Sequence, residues 1–448
     1  AFAAKVGNTA GHVRGYDVRT GRRKWIFHTI PTPGEFGNET WEKDSWAIQG
    51  NTAVWAPMSG DQELGYVYLP VETPTNDFYG GHRPGNNLFA ESLVCLNADT
   101  GKRVWHYQLV HHGVWDYDTV APPILLDINA NGRRIKAVAQ VTKQAFTYVF
   151  DRATGQPVWP IEERPAFRSD VPGEQLSTTQ PYPTKPPAFD RQGVSLDDLN
   201  DLTPELKAEA VKMAAEYKIG PLFTAPIVAG ANGLKGMLML PAATGGANWQ
   251  GGAADPETGM LYVSSGTQIN PLALIHDAAR SEQNYISGGG GEGGGGPRGA
   301  NAGPRVFGPQ GLPMVKPPWG RITAIDLNAG EIKWMVPNGD APDWVKNHPA
   351  LKGVQVPKTG RYEHSGIMVT KTLVFAGEGS GLFAAAPGSG GPMFRAYDKM
   401  TGEVVHEFKL PANQSGIPMT YMVNGRQFIV VAVGAPGVPA EFVALSVQ

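Results

Sequence analysis

The chain has 448 residues, a net charge of −3, and contents of 41% hydrophobic and 18% charged residues. These proportions fit a globular protein and exclude a disordered one, and a chain of this length can bury a large core. The sequence has no long basic run, so the electrostatic footprint of a nucleic-acid binder is missing. No stretch approaches about eighteen consecutive apolar residues, and we therefore predict no membrane span in this chain.

The first residues and the cysteine content indicate how the chain is processed and which cross-links it can form. Residues 1–5 (AFAAK) lack the charged and apolar regions of a signal peptide. We expect either that such a segment has been removed or that the chain begins within a longer protein. The single cysteine, Cys95, lies in an apolar run and is predicted to be a buried structural thiol. One cysteine allows no internal disulfide, no CxxCH haem attachment and no multi-cysteine zinc site.

A motif recurs along the chain in fixed register. A small polar residue is followed by Gly four positions later and by Trp eight positions later. The copies are 17–21 with Trp25, 97–101 with Trp105, 151–155 with Trp159, 326–330 with Trp334, and 398–402 with His406 in place of Trp. Each copy predicts a β-hairpin in which the Asp or Asn side chain caps the turn and Gly supplies a positive φ. We expect each Trp to pack against a neighbouring sheet.

A second type of hairpin alternates with the first. It occurs at 61–65, at 255–259 and at Asn424–Gly425. Two alternating hairpins per unit are typical of a four-stranded β-propeller blade. We therefore predict an all-β fold, a single propeller domain over residues 1–448 in which about five to six blades are evident. A β-sandwich with coincidental turns is the alternative, and five copies in one register argue against it.

Two segments interrupt the repeat. Residues 195–219 are predicted to be helical, because Thr203 is a good N-cap, Pro204 fits the first turn and apolar residues follow at helical spacing. We interpret this segment as an insertion packed on the side of the propeller. Residues 287–304 are rich in glycine and are predicted to form a flexible surface loop.

Polar and aromatic residues concentrate at 111–118 (HHGVWDYD), directly after a predicted strand. Lys143 follows Asp116 by 27 residues and ends an apolar strand, where a charge needs a carboxylate or an anionic ligand as partner. One interpretation is a structural Asp–Lys bridge between strands. The other is a general base beside a cation that binds an electron-rich cofactor. The two adjacent histidines lack a third metal ligand at usable spacing.

The stretch from Val110 to Val158 resembles the quinoprotein dehydrogenase family, close to its glucose and aldose branch. The matching motifs are HHGVWDYD and VTKQAFTYVFDRATGQPVWPIEERP, and the resemblance covers nearly the whole chain. It implies an eight-bladed propeller that binds pyrroloquinoline quinone (PQQ) and oxidises a glucose-like sugar or an alcohol in the periplasm. Alcohol-oxidising members carry an adjacent-cysteine disulfide, which a chain with only Cys95 cannot form, and this favours the sugar branch.

The resemblance also implies roles for individual residues. Asp116 matches the catalytic base that takes the substrate hydroxyl proton while hydride passes to the quinone. Lys143 matches the lysine that hydrogen-bonds the quinone oxygens, and Trp55 matches the tryptophan that stacks under the PQQ ring. From residue type alone, Trp55 would instead be a tryptophan that packs between blades.

Further positions match cofactor and metal contacts. Asn248 resembles an asparagine that contacts PQQ, and by residue type alone it would cap a turn in a glycine-rich stretch. Thr73 resembles a threonine of the glucose branch at the cofactor site. Glu72 is a candidate ligand for Ca²⁺ or Mg²⁺, which would act as a Lewis acid on the quinone. A plain loop-capping role is the alternative for both.

The resemblance departs from the family at the N-terminus. The family's further cofactor ligands lie before the position that matches Ala1, so the chain resembles the C-terminal two-thirds of such an enzyme. Since no haem is fused, we expect electrons to leave to a quinone or a separate cytochrome. Two alternatives remain: a non-catalytic propeller scaffold of the outer-membrane assembly type, and a degenerate relative that folds without binding PQQ.

Overall fold

The structure is a computed structural model that describes residues 9–288, 306–379, 390–435 and 437–446. Its first strands are β1 (His12–Tyr16), β2 (Arg23–His28), β3 (Ser59–Asp61), β4 (Tyr66–Pro70), β5 (Ser92–Asn97), β6 (Arg103–Gln108), β7 (Ile124–Ala130), β8 (Arg133–Val141) and β9 (Thr147–Asp151). The next are β10 (Ile161–Pro165), β11 (Thr179–Pro183), β12 (Met237–Met239), β13 (Gly252–Asp255), β14 (Met260–Gly266), β15 (Asn270–Leu272), β16 (Leu274–Ile275) and β17 (Ile286–Ser287). The last are β18 (Gly320–Asp326), β19 (Glu331–Pro337), β20 (Ile367–Val369), β21 (Leu373–Gly377), β22 (Met393–Asp398), β23 (Val404–Lys409), β24 (Met419–Val423), β25 (Arg426–Ala435) and β26 (Val438–Ser446).

Helices are few among the described residues. The α-helices are α1 (Pro204–Ala214) and α2 (Asp343–Lys346). Short 3-10 helices are Asn38–Thr40, Glu42–Ala47, Leu196–Asp198, Ala231–Gly233, Pro309–Gly311 and Pro349–Leu351. In the described part of the chain, no helix is both long enough and apolar enough to cross a membrane.

Antiparallel sheets follow one another along the chain in the order β1-β2, β3-β4-β5-β6, β7-β8-β9, β13-β14-β18-β19, β20-β21-β22-β23 and β24-β25-β26. The first strands of successive sheets contact each other, β3 with β7, β7 with β13, and β13 with β20. Small two-stranded sheets, β10-β11, β12-β15 and β16-β17, stand apart from this series. Strands that meet at one edge of successive sheets are typical of a propeller, and the predicted β-propeller is confirmed.

The hydrophobic core is divided into layers between the sheets. Side chains from neighbouring sheets share clusters: Leu126 with Leu261, Tyr262 with Val374, and Phe394 with Val431. All are buried. Each sheet therefore buries both faces except at the ends of the series, and successive sheets stack like blades.

The repeated hairpins form as the sequence predicts. The first polar residue of each copy accepts a hydrogen bond from a backbone N–H within the turn, as in Thr20 N to Asp17 Oδ1 at 2.8 Å and Thr401 N to Asp398 Oδ1 at 2.9 Å. The glycines have positive φ, for example 68° at Gly21. The left-handed region that these turns require favours glycine over residues with a Cβ.

Each repeat tryptophan packs on the repeat glycine of the next copy. A Cβ added to that glycine would lie 2.5 Å from the ring of Trp25 at Gly101, 2.7 Å from Trp105 at Gly155, 2.9 Å from Trp159 at Gly330, and 2.7 Å from Trp334 at Gly402. The indole N–H of three of them also donates to a backbone carbonyl of the next turn. Two of the four rings are buried and two are half-buried. The glycine thus serves the turn and also admits the neighbouring ring.

Of the two predicted interruptions, the structure describes the helical segment and only the start of the glycine-rich loop. Helix α1 lies inside the predicted segment 195–219 but is shorter, because the chain on either side forms a 3-10 turn and irregular backbone. Thr203 Oγ1 accepts from Leu206 N at 3.2 Å, and Leu206 and Ala210 face a buried cluster. The predicted glycine-rich loop at 287–304 lies, from residue 289 onward, outside the described residues.

Candidate active site

The Lys143 side chain lies in the core, just after the end of β8. It has no exposed surface. Its Nζ donates to Asp116 O at 2.9 Å, to Asp116 Oδ1 at 3.2 Å and to Asp118 Oδ2 at 3.0 Å. The ammonium group therefore directs its hydrogen bonds at the loop 111–118, and the two residues that the sequence singled out as a pair are in direct contact.

The loop that carries Asp116 has an unusual backbone. The φ angle is 47° at His112 and 55° at Asp116, in the left-handed region that residues with a side chain rarely adopt. The Asp116 N–H donates to Asp77 O at 3.2 Å, and the buried Trp115 indole donates to Thr224 O at 2.8 Å. Such backbone conformations concentrate at functional sites, where surrounding contacts hold them in place.

Thr73 connects this loop to neighbouring carboxylates. Its backbone N–H donates to Asp118 Oδ1 at 2.8 Å, and its hydroxyl donates to Glu91 Oε1 at 3.3 Å. Burial alone would raise the pKa of Asp118, but the charge of Lys143 and the hydrogen bond from Thr73 hold that pKa below its ordinary value. Asp118 is therefore an ionised partner of the lysine.

Two glutamates near Asp118, Glu72 and Glu91, have raised pKa values. Burial, reinforced by the negative charge of Asp118, raises the pKa of Glu72 to about 7. Burial also raises the pKa of Glu91 to about 8, although the positive charge of Arg83 opposes the change. Both pKa values lie far above that of an ordinary glutamate because the surroundings penalise further negative charge.

The described residues of this region supply more carboxylates than cations: Glu72, Asp77, Glu91, Asp116 and Asp118 against Arg83 and Lys143. Glu91 Oε2 is buried and has no hydrogen-bond partner among them. These two features suit a divalent cation. No three His, Cys, Asp or Glu side chains in the described ranges are close enough to enclose a metal by themselves, so a cation here would take further oxygen ligands from hydroxyls, carbonyls or a bound anion.

Trp55 lies on a segment that is bonded to Glu72. Glu72 N donates to Ala53 O at 2.9 Å, and Ala53 N donates to Glu72 Oε1 at 3.0 Å. The Trp55 residue is 47% exposed. The large, accessible ring of Trp55 therefore lies two residues along the chain from Ala53, which pairs with Glu72.

Asn248 belongs to a loop that covers Lys143. Gly246 N donates to Lys143 O at 2.8 Å, and a Cβ added to Gly245 would lie 2.5 Å from Lys143 Cγ. Asn248 is buried and its Nδ2 donates to Thr244 O at 2.8 Å. The amide therefore shapes the loop around the lysine, as the turn-capping alternative predicted.

The two adjacent histidines bind separate glutamates. His112 Nε2 lies 2.7 Å from Glu174 Oε1, with both side chains almost fully buried, while His111 Nε2 lies 3.1 Å from Glu163 Oε1. Neither Glu174 nor Glu91 was predicted from the sequence as a site residue. Glu91 carried a signal, since a carboxylate stands directly before the buried strand β5. Glu174 carried none, because it reaches His112 across 62 positions from a polar stretch.

Fold and site together define a propeller protein with a buried lysine–aspartate centre formed by segments that connect its strands. The family model described as "PQQ: Glucose/ethanol/alcohol dehydrogenase, beta-propeller domain" matches residues 3–429. The chain belongs to this family, as the motif HHGVWDYD predicted.

Curated relatives align over almost all of the chain. The quinoprotein glucose dehydrogenase of Escherichia coli is 31% identical over 452 aligned residues, which cover 96% of this chain and 52% of that protein. The glycerol dehydrogenase large subunit of Gluconobacter oxydans is 32% identical, covering 95% of this chain and 57% of that subunit. The chain thus spans about half the length of the curated relatives it matches.

Solved structures support the fold. The quinohemoprotein alcohol dehydrogenase ADHIIG of Pseudomonas putida superposes with a TM-score of 0.61 at 23% identity, covering 96% of this chain and 53% of that one. The corresponding enzyme of Comamonas testosteroni gives a TM-score of 0.60 at 21% identity, with the same coverage. At this level of identity the likeness establishes the propeller architecture alone.

Proposed function

We propose that the chain is the cofactor-binding part of a PQQ-dependent dehydrogenase that oxidises an aldose sugar or an alcohol. The observation that carries this proposal is the contact of Lys143 with Asp116 and Asp118 in the core of a propeller of the PQQ family. When bound, PQQ supplies an ortho-quinone that accepts a hydride from the substrate carbon. Two relatives are named as dehydrogenases of glucose and of glycerol, and these names support sugars and polyols as the substrate class.

Asp116 would act as the general base. A carboxylate within hydrogen-bond reach of a substrate hydroxyl can take its proton as the carbon is oxidised. Lys143 fixes this carboxylate through Oδ1 and the backbone carbonyl of the same residue. The proton acceptor is thus held in one orientation before substrate arrives, which lowers the entropic cost of reaching the reactive geometry.

Lys143 would also contact the cofactor. Its ammonium group donates hydrogen bonds to Asp116 and Asp118. Contact with a quinone oxygen therefore requires that one of these hydrogen bonds is replaced. A buried ammonium group would then stabilise negative charge that develops on that oxygen. We assign stacking of the ring to Trp55, whose accessible indole suits that role, and we assign Asn248 and Thr73 to the cofactor's edge.

We also propose that a Ca²⁺ or Mg²⁺ ion binds at this site, with Glu72 as a ligand. The excess of carboxylates, the raised pKa of Glu72 and the unpartnered Glu91 Oε2 support a cation at this place. An anionic cofactor beside these carboxylates also needs a positive charge to offset repulsion. We further propose a periplasmic location, and a quinone or a cytochrome as the electron acceptor.

Reconstitution tests the proposal. The chain is mixed with PQQ and CaCl₂, bound PQQ is measured by equilibrium dialysis, and dye reduction is followed with glucose, glycerol and ethanol. Stoichiometric PQQ binding that depends on Ca²⁺, with reduction by at least one substrate, is the expected result. A folded chain that binds no PQQ would favour the scaffold or the degenerate relative instead.

A further inference from the structure

The first copy of the repeated hairpin concentrates positive charge at its turn. Residues 17–24 contain three arginines, one lysine and one aspartate, which give a net charge of +3 in a chain whose total is −3. The four basic residues of this segment, which we name the basic turn, are all exposed: Arg19, Arg22, Arg23 and Lys24. Positive charge is therefore unevenly distributed over the molecule.

The hairpin itself does not require this charge. The same eight positions of the third copy, 151–158, contain one basic and one acidic residue, and those of the last two copies, 326–333 and 398–405, contain one basic and two acidic residues each. In all three copies the first aspartate accepts hydrogen bonds from the turn, as it does in the basic turn. Because the same turn forms without an excess of basic residues, folding does not account for them.

Within the described part of the chain, little of this charge is neutralised. The three arginines of the basic turn form no ion pair with any residue that the structure describes. Lys24 Nζ lies 3.5 Å from Asp99 Oδ1, but the two side chains are 46% and 87% exposed, and exposed ion pairs contribute little. The guanidinium groups are therefore accessible to an anionic partner.

The second copy of the hairpin extends the positive surface. The Trp25 indole N–H donates to Ala98 O at 2.9 Å, so the second turn lies beside the basic turn. Lys102, at the position that Arg22 has in the first copy, is exposed and also forms no ion pair among the described residues. Two neighbouring turns thus present basic side chains together.

The tip of the basic turn protrudes from the molecule. Val18 is 97% exposed, and a Cβ added to Gly21 would meet nothing within 4 Å among the described residues. A protruding tip cannot enclose a small anion, whereas several of its side chains can reach a flat, negatively charged surface at once. An apolar side chain among cations is typical of segments that lie at the interface of lipid and water.

We propose that the basic turn docks the chain on a membrane surface that contains anionic phospholipids. Guanidinium groups match phosphate oxygens in geometry and form paired hydrogen bonds with them. Each basic side chain near such a surface raises membrane affinity about fivefold, and Val18 contacts the headgroup region between the arginines. Docking needs no PQQ, so it is independent of the proposed function.

Co-sedimentation of the whole chain with lipid vesicles tests the docking. Vesicles of phosphatidylcholine alone are compared with vesicles that also contain phosphatidylglycerol. We expect binding to the anionic vesicles only, and loss of binding between about 0.1 M and about 1 M NaCl, because the Debye length falls from about 10 Å to about 3 Å. No binding, equal binding to both kinds of vesicle, or equal binding at both salt concentrations would overturn the proposal.

Poly-L-glutamate, a soluble carboxylate polymer, serves as the competing partner. A chain that binds poly-L-glutamate but not the anionic vesicles would show that the basic turn recognises an acidic protein, and membrane docking would be wrong. Binding to the vesicles that excess poly-L-glutamate does not displace supports phosphate recognition, since guanidinium pairs with phosphate through geometry as well as charge.

Two double variants assign the binding to the basic turn. Arg22→Gln/Arg23→Gln should weaken binding to the anionic vesicles about 25-fold, about fivefold for each charge. The control Arg133→Gln/Arg168→Gln removes two exposed arginines that form no ion pair among the described residues, and it should bind as the unaltered chain does. Exposed side chains outside the core leave the unfolding temperature nearly unchanged. Equal losses in both double variants, or full binding by Arg22→Gln/Arg23→Gln, would contradict docking through the basic turn.

Discussion

Lys143 places a positive charge where solvent does not reach it, and two aspartates of one loop compensate that charge. Removing one member of such a buried pair leaves the other uncompensated, at a cost of about 3–5 kcal/mol. Because Asp118 shares the lysine with Asp116, loss of the Asp116 charge alone still leaves an ion pair. The arrangement therefore allows Asp116 to be tested for chemistry separately from folding.

We predict that Asp116→Asn lowers the turnover of the PQQ-loaded protein by about 10²–10⁴-fold, the usual contribution of a positioned general base. PQQ affinity should stay within a few-fold, since the amide keeps the size of the side chain and Asp118 keeps the charge. Dye-linked turnover and equilibrium dialysis measure the two quantities. Asp99→Asn is the matched control, because its side chain is 87% exposed on a hairpin turn. Near-normal turnover in Asp116→Asn would refute the assignment of the base.

Ca²⁺ affinity should depend on pH through Glu72. A cation binds the carboxylate and competes with its proton, so the raised pKa of about 7 predicts affinity that increases up to pH 7. The increase should approach tenfold per pH unit below pH 7, as for any single competing proton. Calcium titrations between pH 5 and pH 9 measure the profile.

Glu72→Gln should weaken Ca²⁺ binding and remove the slope below pH 7. A profile identical to that of the unaltered chain would show that Glu72 is not a ligand.

At the scale of the elements, the contact of each tryptophan with the next glycine joins one sheet to the next. Gly101 has a φ of 69°, and a Cβ there would lie 2.5 Å from the Trp25 ring. Gly21 has nearly the same φ, 68°, in the same type of hairpin, but an added Cβ would meet nothing within 4 Å among the described residues. The two glycines differ in packing alone.

Gly101→Ala should therefore destabilise the fold more than Gly21→Ala. Both substitutions place a Cβ in the left-handed region, at a cost of about 1–2 kcal/mol. Gly101→Ala adds steric overlap with the indole, worth about 1–3 kcal/mol. Urea unfolding of both variants measures the difference, and equal losses would contradict the proposed role of the ring contact.

The pair of His112 and Glu174 ties the loop 111–118 to a distant segment. Burial would raise the pKa of Glu174, but the hydrogen bond and charge of His112 outweigh burial and lower it from 4.5. The stabilisation is therefore present above about pH 4.5 and is lost as pH falls through the lowered pKa. We predict that Glu174→Gln costs about 1.5–3 kcal/mol at pH 7, as for hydrogen bonds to charged groups, and makes acid unfolding less steep.

Urea unfolding at pH 7 and pH 4 measures this effect. Glu162→Gln is the control, because that carboxylate is 54% exposed and pairs only with a neighbouring arginine among the described residues. The same loss at both pH values in Glu174→Gln would mean that the carboxylate acts through packing rather than charge.

The sequence predicts the elements better than it predicts the contacts between them. The hairpins were predictable because the turn residues and the positive-φ glycine act locally, within five residues. Asp118 was harder to connect to Thr73 and Glu91, since it lies in the chain beyond the sheet whose strands they flank and meets them only in the fold. The apolar strand before Lys143 indicated its pairing with a carboxylate, and family resemblance supplied the roles of Asp116 and Lys143. The contact of Glu174 with His112 needed the fold itself. Helix α1 was predicted too long because apolar spacing continues past the residues that keep helical backbone.

At the scale of the whole molecule, the site draws on three successive sheets. Thr73 and Glu91 flank strands of the second sheet, Lys143 follows a strand of the third, and Asn248 precedes the first strand of the fourth. The apolar layers hold these sheets face to face, and two of them include residues next to the site, Tyr117 and Ala247. A ligand bound there would therefore add contacts between sheets at one edge, where polar side chains now meet.

Bound PQQ and Ca²⁺ should stabilise the part of the molecule near the ligand more than the rest. A ligand that binds only the folded state adds about 2.7 kcal/mol at a concentration of one hundred times its dissociation constant, and amides near the ligand should gain the most protection from hydrogen exchange. We predict slower exchange at residues 72–73, 111–118 and 245–248, and little change in β24-β25-β26, which hold none of the proposed ligands. Lys143→Met should abolish the effect while Asp99→Asn retains it, as followed by hydrogen exchange with mass spectrometry. Equal protection in β24-β25-β26 would mean that the ligand acts on global unfolding alone, and no protection at 111–118 would place PQQ elsewhere in the molecule.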